Sequence, residues 1–373
     1  MNYQIIIAGG GIAGLINAIC LSRAGFSVLV IEKETYPFHR VCGEYISNEV
    51  LPFLCSIDAN PAVLSPSNIS KLTVTSPKGT ALNMILKSGG FGVSRYTFDA
   101  FLFEKAKQAG AVFQLQTKIL AIEFSAEQFT VNTEAGLFFA PLVIGSFGKR
   151  SALDRQLNRA FFYQKSPYLA VKYHINYDIP SDTIGLHNFH KGYCGISKTE
   201  SEAICLCYLT SVSNLKQAGT IPAMEETVIQ KNPVLKNIFL NASFVFKKPK
   251  VIHAISFESK TRVENHILFC GDSAGMISPL CGNGMAIAIH AAKLLSSLIV
   301  KYFNCKSGDL NREFLEKEYA FLWDKRFDAR LTRGRNIQRL LGNTVVTDAT
   351  VRLLRSNKLL ANWLVRKTHG NPF

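Results

Sequence analysis

The sequence lacks the cysteine patterns that build disulfide frameworks or structural zinc sites. Its nine cysteines are scattered through 373 residues, without a repeated C-x-x-C pair and without zinc-ligand spacing. An odd number of dispersed thiols is typical of a reducing compartment. No positively charged segment precedes the first apolar run, which argues against a secretory signal. We therefore expect a cytoplasmic protein.

Acidic residues are scarce relative to basic ones. The chain carries 42 Lys and Arg against 27 Asp and Glu, a formal net charge of +15. Residues 325–367 contain eleven Lys and Arg but only two acids, Asp328 and Asp348. Basic C-terminal helices of this kind are typical of a solvated face, or of peripheral contact with the anionic inner face of a membrane. No nucleic-acid recognition motif accompanies the charge, so we expect no nucleic-acid partner.

The sequence has little that would span a membrane. Residues 285–303 approach the about twenty apolar residues that a span needs, but His290 and Lys293 interrupt them. We predict a buried core helix. An apolar content of 47% and a charged content of 18% indicate a globular chain, and the length indicates two or three structural units.

A glycine-rich turn lies between the first strand pattern and the first helix pattern. Residues 3–8 are a continuous apolar run, as in a buried parallel strand, and residues 27–33 repeat that pattern after the helix. Between them, Gly9, Gly11 and Gly14 form G-x-G-x-x-G. The first glycine permits the tight turn, the second lets a pyrophosphate approach the backbone, and the third allows close packing of helix on strand.

The residues around this turn predict a dinucleotide site. Ile12 and Ala13 open the helix, and their free N–H groups would face phosphates. Glu32 and Lys33 close the second strand, and Glu32 follows Gly14 by eighteen residues. A carboxylate at this place accepts hydrogen bonds from the hydroxyls of an adenosine ribose and repels a 2′-phosphate. The unit therefore predicts binding of FAD or NAD and not of NADP.

A second glycine-punctuated turn lies in the second half of the chain. An apolar strand pattern ends in Gly-Asp at Asp272, and Pro279 and the sequence Gly282-x-Gly284 come before a helical pattern. A simple NAD enzyme has no need of this second turn. We interpret the two turns as holding opposite ends of one large cofactor, which favours FAD.

The order of these motifs resembles that of the aromatic-hydroxylase-like flavoproteins, which bind FAD. That family also has R-x-x-F-D at the start of a helix, as in residues 95–99. Its geranylgeranyl-reductase and halogenase-like branch has Cys-Gly after the second strand, as at Cys42, and a glycine-tyrosine turn in mid-chain, as in residues 190–197. The matching motifs cover residues 3–298. The W-x-W-x-I-P motif of the halogenases is absent, which disfavours halogenation.

The resemblance implies that the second turn contacts the flavin. Asp272 would bind the ribityl or pyrophosphate part, and Pro279 would lie against the ring. Four residues would present backbone N–H groups to the ring edge, namely Gly282, Asn283, Gly284 and Met285. A helix N-terminus at that edge stabilises the negative charge of the reduced flavin.

The resemblance also implies roles for residues of the first half. Arg40 and Arg95 would reach phosphate or ribityl oxygens. Cys42 would lie near the flavin, either as a small buried residue or with a redox role. Relatives that take hydride from nicotinamide have Asp-Gly where this chain has Phe147-Gly148. We therefore do not expect rapid direct reduction by NAD(P)H, and the electron donor stays open.

The predicted fold class is α/β, with a Rossmann-like FAD-binding domain, an inserted antiparallel β-sheet substrate domain and a helical C-terminus. The predicted discontinuous FAD-binding domain comprises residues 1–70, 95–165 and 262–300. The predicted substrate domain comprises residues 71–94 and 166–261, and the helical region comprises residues 301–373. The strand patterns of the substrate domain predict an apolar and aromatic site whose polar groups are Tyr173, His174, Tyr193 and Tyr208.

Three functions stay open at this point. The first, which we favour from the sequence, is an FAD-dependent monooxygenase that hydroxylates an apolar or aromatic substrate, phenolic, polyketide-like or quinone-like, through a flavin hydroperoxide. The second is a flavin-dependent reductase that saturates double bonds of isoprenoids or other lipids. The third is a non-catalytic flavin-binding protein. No residue is assigned as a catalytic acid or base, and no metal site is expected.

Overall fold

The structure is a computed structural model that describes residues 1–201, 203–276, 278, 282–341, 343–368 and 370–373, without the side chains of residues 339–341 and 366–368. The strands of the described residues are β1 Ile5–Ala8, β2 Val28–Ile31, β3 Tyr45–Ser47, β4 Ser67–Thr75, β5 Ala81–Gly92, β6 Val112–Gln114, β7 Ile119–Ser125, β8 Gln128–Thr133, β9 Gly136–Ala140, β10 Leu142–Gly145, β11 Tyr168–Asn176, β12 Thr183–Phe189, β13 Gly192–Lys198, β14 Ile204–Ser211, β15 Ser243–Phe244, β16 Lys250–Ile255, β17 Val263–Glu264 and β18 Ile267–Phe269.

The helices of the same residues include several short ones and a long C-terminal series. They are α1 Ile12–Arg23, α2 Leu51–Ser56, α3 Arg95–Gln108, α4 Ala152–Gln156, α5 Val212–Ala218, α6 Ile221–Thr227, α7 Pro233–Asn241, α8 Gly284–Tyr302, α9 Arg312–Leu341, α10 Thr344–Ser356 and α11 Lys358–Thr368.

A six-stranded sheet forms the first layer, with the strand order β17-β18-β10-β1-β2-β6. Its central strands run parallel, and only the β17–β18 edge pair is antiparallel. All four residues of β1 and of β2 are buried, as expected for strands covered on both faces. Helix α1 packs against α3 and α8 over this sheet. The first strand, glycine turn, helix and second strand therefore form the βαβ unit that the sequence predicts.

A larger mixed sheet forms the second layer. Its order is β15-β11-β14-β13-β12-β4-β5-β3, and β16 also pairs with β11. The pairs are antiparallel, as predicted, except that β4 and β12 run parallel. A parallel pair needs a long crossover connection, and residues 76–182 supply one. The strand patterns of single hairpins in the sequence do not indicate that β4 pairs with β12, because the two strands are far apart in the chain.

One side of this sheet is covered by helices α5–α7. Leu169, Leu206 and Leu235 belong to the buried cluster between the sheet and these helices. The other side faces the first layer and the C-terminal helices. Helix α8 is long and apolar enough to cross a membrane, but 56% of that stretch is buried inside the fold, where the helix packs on α1 and α9.

The α/β fold class predicted from the sequence is confirmed. Strand β3 lies in the segment assigned to the FAD-binding domain, yet it pairs with β5 of the mixed sheet. Backbone hydrogen bonds near Tyr45 and Gly92 therefore join a segment assigned to the FAD-binding domain to one assigned to the substrate domain. The division into domains stays a prediction.

Candidate functional site

A cavity of about 990 Å³ extends from the glycine-rich turn to the mixed sheet and the helices α10 and α11. Thirteen of the predicted cofactor-binding residues line it, namely Gly9, Gly11, Ile12, Ala13, Glu32, Lys33, Arg40, Cys42, Arg95, Asp272, Gly282, Gly284 and Met285. Two other predicted residues among those described, Gly14 and Asn283, are buried behind this lining. Pro279 lies outside the described residues. The fold thus brings together motifs that are up to 276 positions apart in the chain.

The glycine-rich turn has the close backbone contacts that a dinucleotide-binding turn requires. Gly9 has a φ of +105°, and a Cβ there would lie 2.7 Å from the carbonyl oxygen of Ser146. A Cβ on Gly14 would lie 2.1 Å from the carbonyl oxygen of Gly9. At Gly11 the nearest atom to an added Cβ is an Arg95 nitrogen at 3.9 Å, so this glycine is open toward the cavity. Gly9 therefore fits the tight turn, Gly14 fits the close packing of helix on strand, and Gly11 fits the approach of the pyrophosphate.

Glu32 holds the turn as well as facing the cavity. Its Oε2 accepts a hydrogen bond from the backbone N–H of Gly10 at 2.9 Å and another from Arg40 at 2.9 Å. Its Oε1 accepts from the backbone N–H of Glu34 at 3.2 Å. A carboxylate has about four acceptor sites, so Glu32 retains capacity for a ribose hydroxyl. The ribose contact stays a proposal.

The two arginines predicted to contact the cofactor share one buried carboxylate. Asp99 has no exposed surface, and its oxygens accept from Arg40 Nε at 3.2 Å and from Arg95 Nε at 2.6 Å. Arg95 is the first residue of α3 and Asp99 lies one turn later, so the R-x-x-F-D spacing itself creates the pair. Each guanidinium has five N–H donors. The pairing with Asp99 therefore holds both guanidinium groups at the cavity wall. It leaves other N–H groups of each arginine available to bind a ligand.

The second turn places a helix N-terminus against the cavity. Helix α8 begins at Gly284, and the backbone N–H groups of its first turn have no partner within the helix. Gly282 has a φ of +65°, and a Cβ there would lie 3.1 Å from the ring of Tyr45. The sulfur of Met285 lies 3.7 Å from Cys42 Sγ. This wall therefore combines the positive end of a helix dipole with a thiol, which suits the edge of a flavin ring.

Lys260, which no sequence motif indicated, lies behind the cavity lining and holds two residues that belong to it. Its ammonium donates to the carbonyl oxygens of Lys149 and Asp272, both at 2.7 Å. Burial lowers the pKa of Lys260 to about 8, against the opposing charge of Asp272. The lysine connects the strand end of the Gly-Asp turn to the loop after β10. Only the tertiary contacts identify it.

A buried charged cluster lies directly behind the Cys42 loop. Glu44 accepts hydrogen bonds from the ammonium of Lys172 and from the backbone N–H of Arg95, and its other oxygen lies 2.7 Å from His174 Nε2. Burial alone would raise the pKa of Glu44, but the His174 contact and the Lys172 charge lower it to about 2. Glu44, His174 and Cys205 lie close enough to ligate a metal. The Lys172 ammonium already supplies the positive charge there.

Two of the four residues predicted for the substrate site direct their hydroxyls to a carboxylate outside the cavity lining. The hydroxyls of Tyr173 and Tyr208 both donate to Glu225, at 2.9 and 2.7 Å, on the side of the sheet covered by α6. His174 contacts Glu44. Tyr193 and Tyr208 are both among the residues that line the cavity. Successive strand residues face opposite sides of a sheet, so the strand pattern alone did not determine which of these polar groups face the cofactor side.

The end of the cavity far from the glycine turn is aliphatic. The mixed sheet contributes Leu72, Val74, Leu82, Met84, Leu86, Ile184 and Leu186 to its wall. Helices α10 and α11, here called the roof, contribute Thr350, Val351, Leu354, Ala361, Leu364 and Val365. This part of the wall is therefore suited to an apolar chain.

Comparisons with known proteins agree with this geometry. Residues 2–310 match the family model described as FAD binding domain. The digeranylgeranylglycerophospholipid reductase of Methanosarcina acetivorans is 28% identical over 340 residues, which are 86% of this chain and 80% of the reductase. The tryptophan 2-halogenase of Chondromyces crocatus is 21% identical over 319 residues, which are 80% of this chain and 61% of the halogenase.

Solved structures show the same fold. A geranylgeranyl bacteriochlorophyll reductase-like protein from Thermoplasma acidophilum matches with a TM-score of 0.78 at 17% identity, over 100% of this chain and 96% of that protein. The flavin-dependent brominase Bmp2 matches with a TM-score of 0.79 at 16% identity, over 99% and 93%. The cofactor is FAD, as the two glycine turns predict. The family match spans most of the chain, so this protein belongs to the FAD binding domain family of FAD-dependent oxidoreductases.

Proposed function

We propose that this protein is a reductase that saturates carbon–carbon double bonds of a large isoprenoid or other lipid-like substrate. The observation that carries the proposal is the aliphatic end of the cavity, which Leu72, Leu82 and Ile184 line beyond the cofactor-binding turns. An aliphatic wall gains free energy by burying an apolar chain, whereas a phenolic substrate also needs hydrogen-bond partners. The similar curated proteins that are named digeranylgeranylglycerophospholipid reductases support the same substrate class.

The chain's own residues would orient the substrate and supply a proton. Reduced FAD, when bound, supplies a hydride to one carbon of the double bond. The second carbon needs a proton, and the thiol of Cys42 holds one on the wall where the cofactor turns meet the cavity. We assign that proton transfer to Cys42 Sγ. The Cys205 thiol donates to the Cys42 carbonyl at 3.3 Å, and Lys172 donates to the Arg40 carbonyl at 3.3 Å, so the loop is held in place.

Hydroxylation, which the sequence analysis ranked first, is the second candidate. Oxygen transfer by a flavin requires a site that excludes water, and Val351 and Ala361 of the roof are buried against the mixed sheet. The disposition of the predicted polar groups weakens this candidate, because the hydroxyls of Tyr173 and Tyr208 donate to Glu225, which does not line the cavity.

The test separates the two reactions by the fate of the substrate. Enzyme reduced by light is mixed with geranylgeraniol under strict anaerobiosis, and the products are analysed by mass spectrometry. We expect the addition of hydrogen to the olefin in proportion to the flavin oxidised. In a parallel aerobic experiment, phenolic compounds should remain unmodified. Oxygen insertion in air together with an unchanged olefin without air would reverse the assignment.

The proton donor is tested by Cys42→Ala, with Cys55→Ala as the matched control at an exposed cysteine. Loss of a general acid lowers the rate by about 10²-fold or more, so we expect that loss in Cys42→Ala with FAD still bound. Cys55→Ala should retain the wild-type rate. Equal rates in the two variants would remove Cys42 from the mechanism and leave the reductase assignment to the product analysis.

A further inference from the structure

The roof over the aliphatic end of the cavity has two different faces. On α10, Val351 and Leu354 face inward and belong to one apolar cluster with Leu82 of the mixed sheet. On α11, Ala361 and Leu364 also line the cavity. These inward contacts explain how the two helices close the cavity.

The outer face of the roof exposes large apolar side chains. On α10, Val345 and Leu353 are 77% and 57% exposed. On α11, Leu359 and Trp363 are 84% and 50% exposed. The last two are four residues apart and so lie on one side of the helix. A cluster of exposed aliphatic side chains with an aromatic ring is typical of a helix that lies in a membrane interface, where Trp is enriched.

The two helices of the roof also expose basic residues close in sequence to these apolar side chains. Arg352, Arg355 and Lys358 are all exposed. The acid on the roof, Asp348, is buried and paired with Arg352 at 3.0 Å. An exposed surface with excess positive charge and protruding apolar groups is complementary to anionic lipid headgroups above an acyl interior. The charge alone would fit any acidic partner, and the apolar side chains favour a bilayer.

We infer that the roof docks on the surface of an anionic lipid bilayer and that the lipid substrate enters the cavity between α10 and α11. The evidence for membrane docking is the outer face of the roof. The route by which the lipid enters rests in addition on the proposed reductase function. A membrane lipid would then pass from the bilayer to the aliphatic wall near Leu354 and Leu364 without crossing water. This arrangement also accounts for why the cavity ends at two amphipathic helices instead of at the protein core.

The test is flotation of the holoenzyme with vesicles, followed by the absorbance of its bound flavin. Vesicles of phosphatidylcholine are compared with vesicles in which about a quarter of the lipid is phosphatidylglycerol. We expect binding to the anionic vesicles that weakens as salt is added. The double variant Leu353→Glu and Leu359→Glu should bind at least about tenfold more weakly for each leucine replaced.

Two further variants define the surface. Arg355→Gln with Lys358→Gln should lower the affinity for anionic vesicles roughly fivefold for each charge, and should leave binding to neutral vesicles unchanged. Leu240→Glu is the matched control, because Leu240 is 65% exposed on α7 at the far side of the mixed sheet. It should bind like the wild type.

The flotation experiments test membrane docking directly, because they measure binding to vesicles and not enzymatic turnover. Wild-type enzyme that does not float with anionic vesicles overturns the inference, as does equal binding by the leucine double variant. A monomer–dimer equilibrium that the double variant abolishes would identify the face as a contact between two copies, which also overturns it. Flotation needs no substrate, so a negative flotation result would not affect the reductase assignment. The anaerobic product analysis tests that assignment separately.

Discussion

Glu44 is a carboxylate without exposed surface, two residues beyond the thiol of Cys42. It has a left-handed backbone, with a φ of +55°, and its side chain joins β11 to the start of α3 through Lys172, His174 and Arg95. Removal of one partner from a buried ion pair leaves an uncompensated charge in a medium of low polarity. The contacts therefore fix the position of the Cys42 loop at the cavity wall.

We predict that Lys172→Met destabilises the protein by about 3–5 kcal/mol, because it removes the charge that faces Glu44. Chemical denaturation at neutral pH measures the free energy of unfolding. The double variant Lys172→Met with Glu44→Gln is the control, and it should recover part of that loss because no unpaired charge remains. Equal stability of Lys172→Met and the wild type would mean that the pair contributes nothing.

The same residue gives a pH dependence with a definite sign. The pKa of Glu44 is about 2 in the folded protein, below its ordinary value of 4.5. The native state therefore binds fewer protons at this site than the unfolded state does. Its contribution to stability is complete above about pH 4.5 and is lost as the pH falls toward 2. We therefore expect the free energy of unfolding of Glu44→Gln to fall less than that of the wild type as the pH is lowered from about 4.5 toward 2. Chemical denaturation of both proteins over this pH range measures the difference.

Strand β4 shows how one element divides its side chains between two environments. Leu72 and Val74 face the cavity and the roof, whereas Thr73 faces outward, where its hydroxyl contacts Asn83 of the neighbouring strand at 3.0 Å. The alternation follows from the pleat of the strand. The apolar residues of β4 and β5 therefore determine how long an apolar chain the cavity holds, independently of the cofactor turns.

We predict that Val74→Trp shortens the cavity. The larger side chain should lower turnover of a geranylgeranyl substrate by more than about tenfold, while a shorter prenyl alcohol retains most of its rate and the bound FAD is unchanged. Steady-state kinetics with the two chain lengths and the flavin-to-protein ratio test this. Thr73→Trp is the matched control on the opposite face of β4. An equal loss for both chain lengths would argue against a length-selecting wall at Val74.

At the scale of the whole molecule, the cofactor site connects segments that the chain keeps far apart. Gly11 and Glu32 lie in the first βαβ unit, Arg95 opens α3, and Asp272 and Met285 belong to the second turn. A ligand that contacts all of these segments stabilises the folded state, because it binds the assembled site and not the unfolded chain. Binding of the adenosine half of the ligand would depend on the glycine turn and Glu32.

We predict that saturating FAD raises the melting temperature of the flavin-free protein by about 5 °C. FMN should raise it much less, since it lacks the adenosine half that Glu32 is proposed to bind. Differential scanning fluorimetry of stripped protein with each flavin measures both shifts. Equal stabilisation by FMN would place the affinity in the flavin half alone and would contradict the role given to Glu32.

The sequence by itself determined the cofactor class and the first βαβ unit, because their signals are local. Gly9, Gly11 and Gly14 act through backbone geometry within six positions, and Arg95 and Asp99 meet within one helical turn. Such spacings predict structure without knowledge of the fold. The same holds for the second turn before α8, apart from Pro279, which lies outside the described residues.

Only the tertiary structure decided what the substrate end of the cavity contains. The side of the sheet that faces the cofactor depends on how two layers pack, and the strand pattern of Tyr173 and Tyr208 is the same for either choice. The contact of Glu44 with Lys172 joins residues 128 positions apart, and the roof covers strands of the distant mixed sheet. Periodicity within a segment carries no information on such pairings, because they arise from burial between segments and not from the geometry of one.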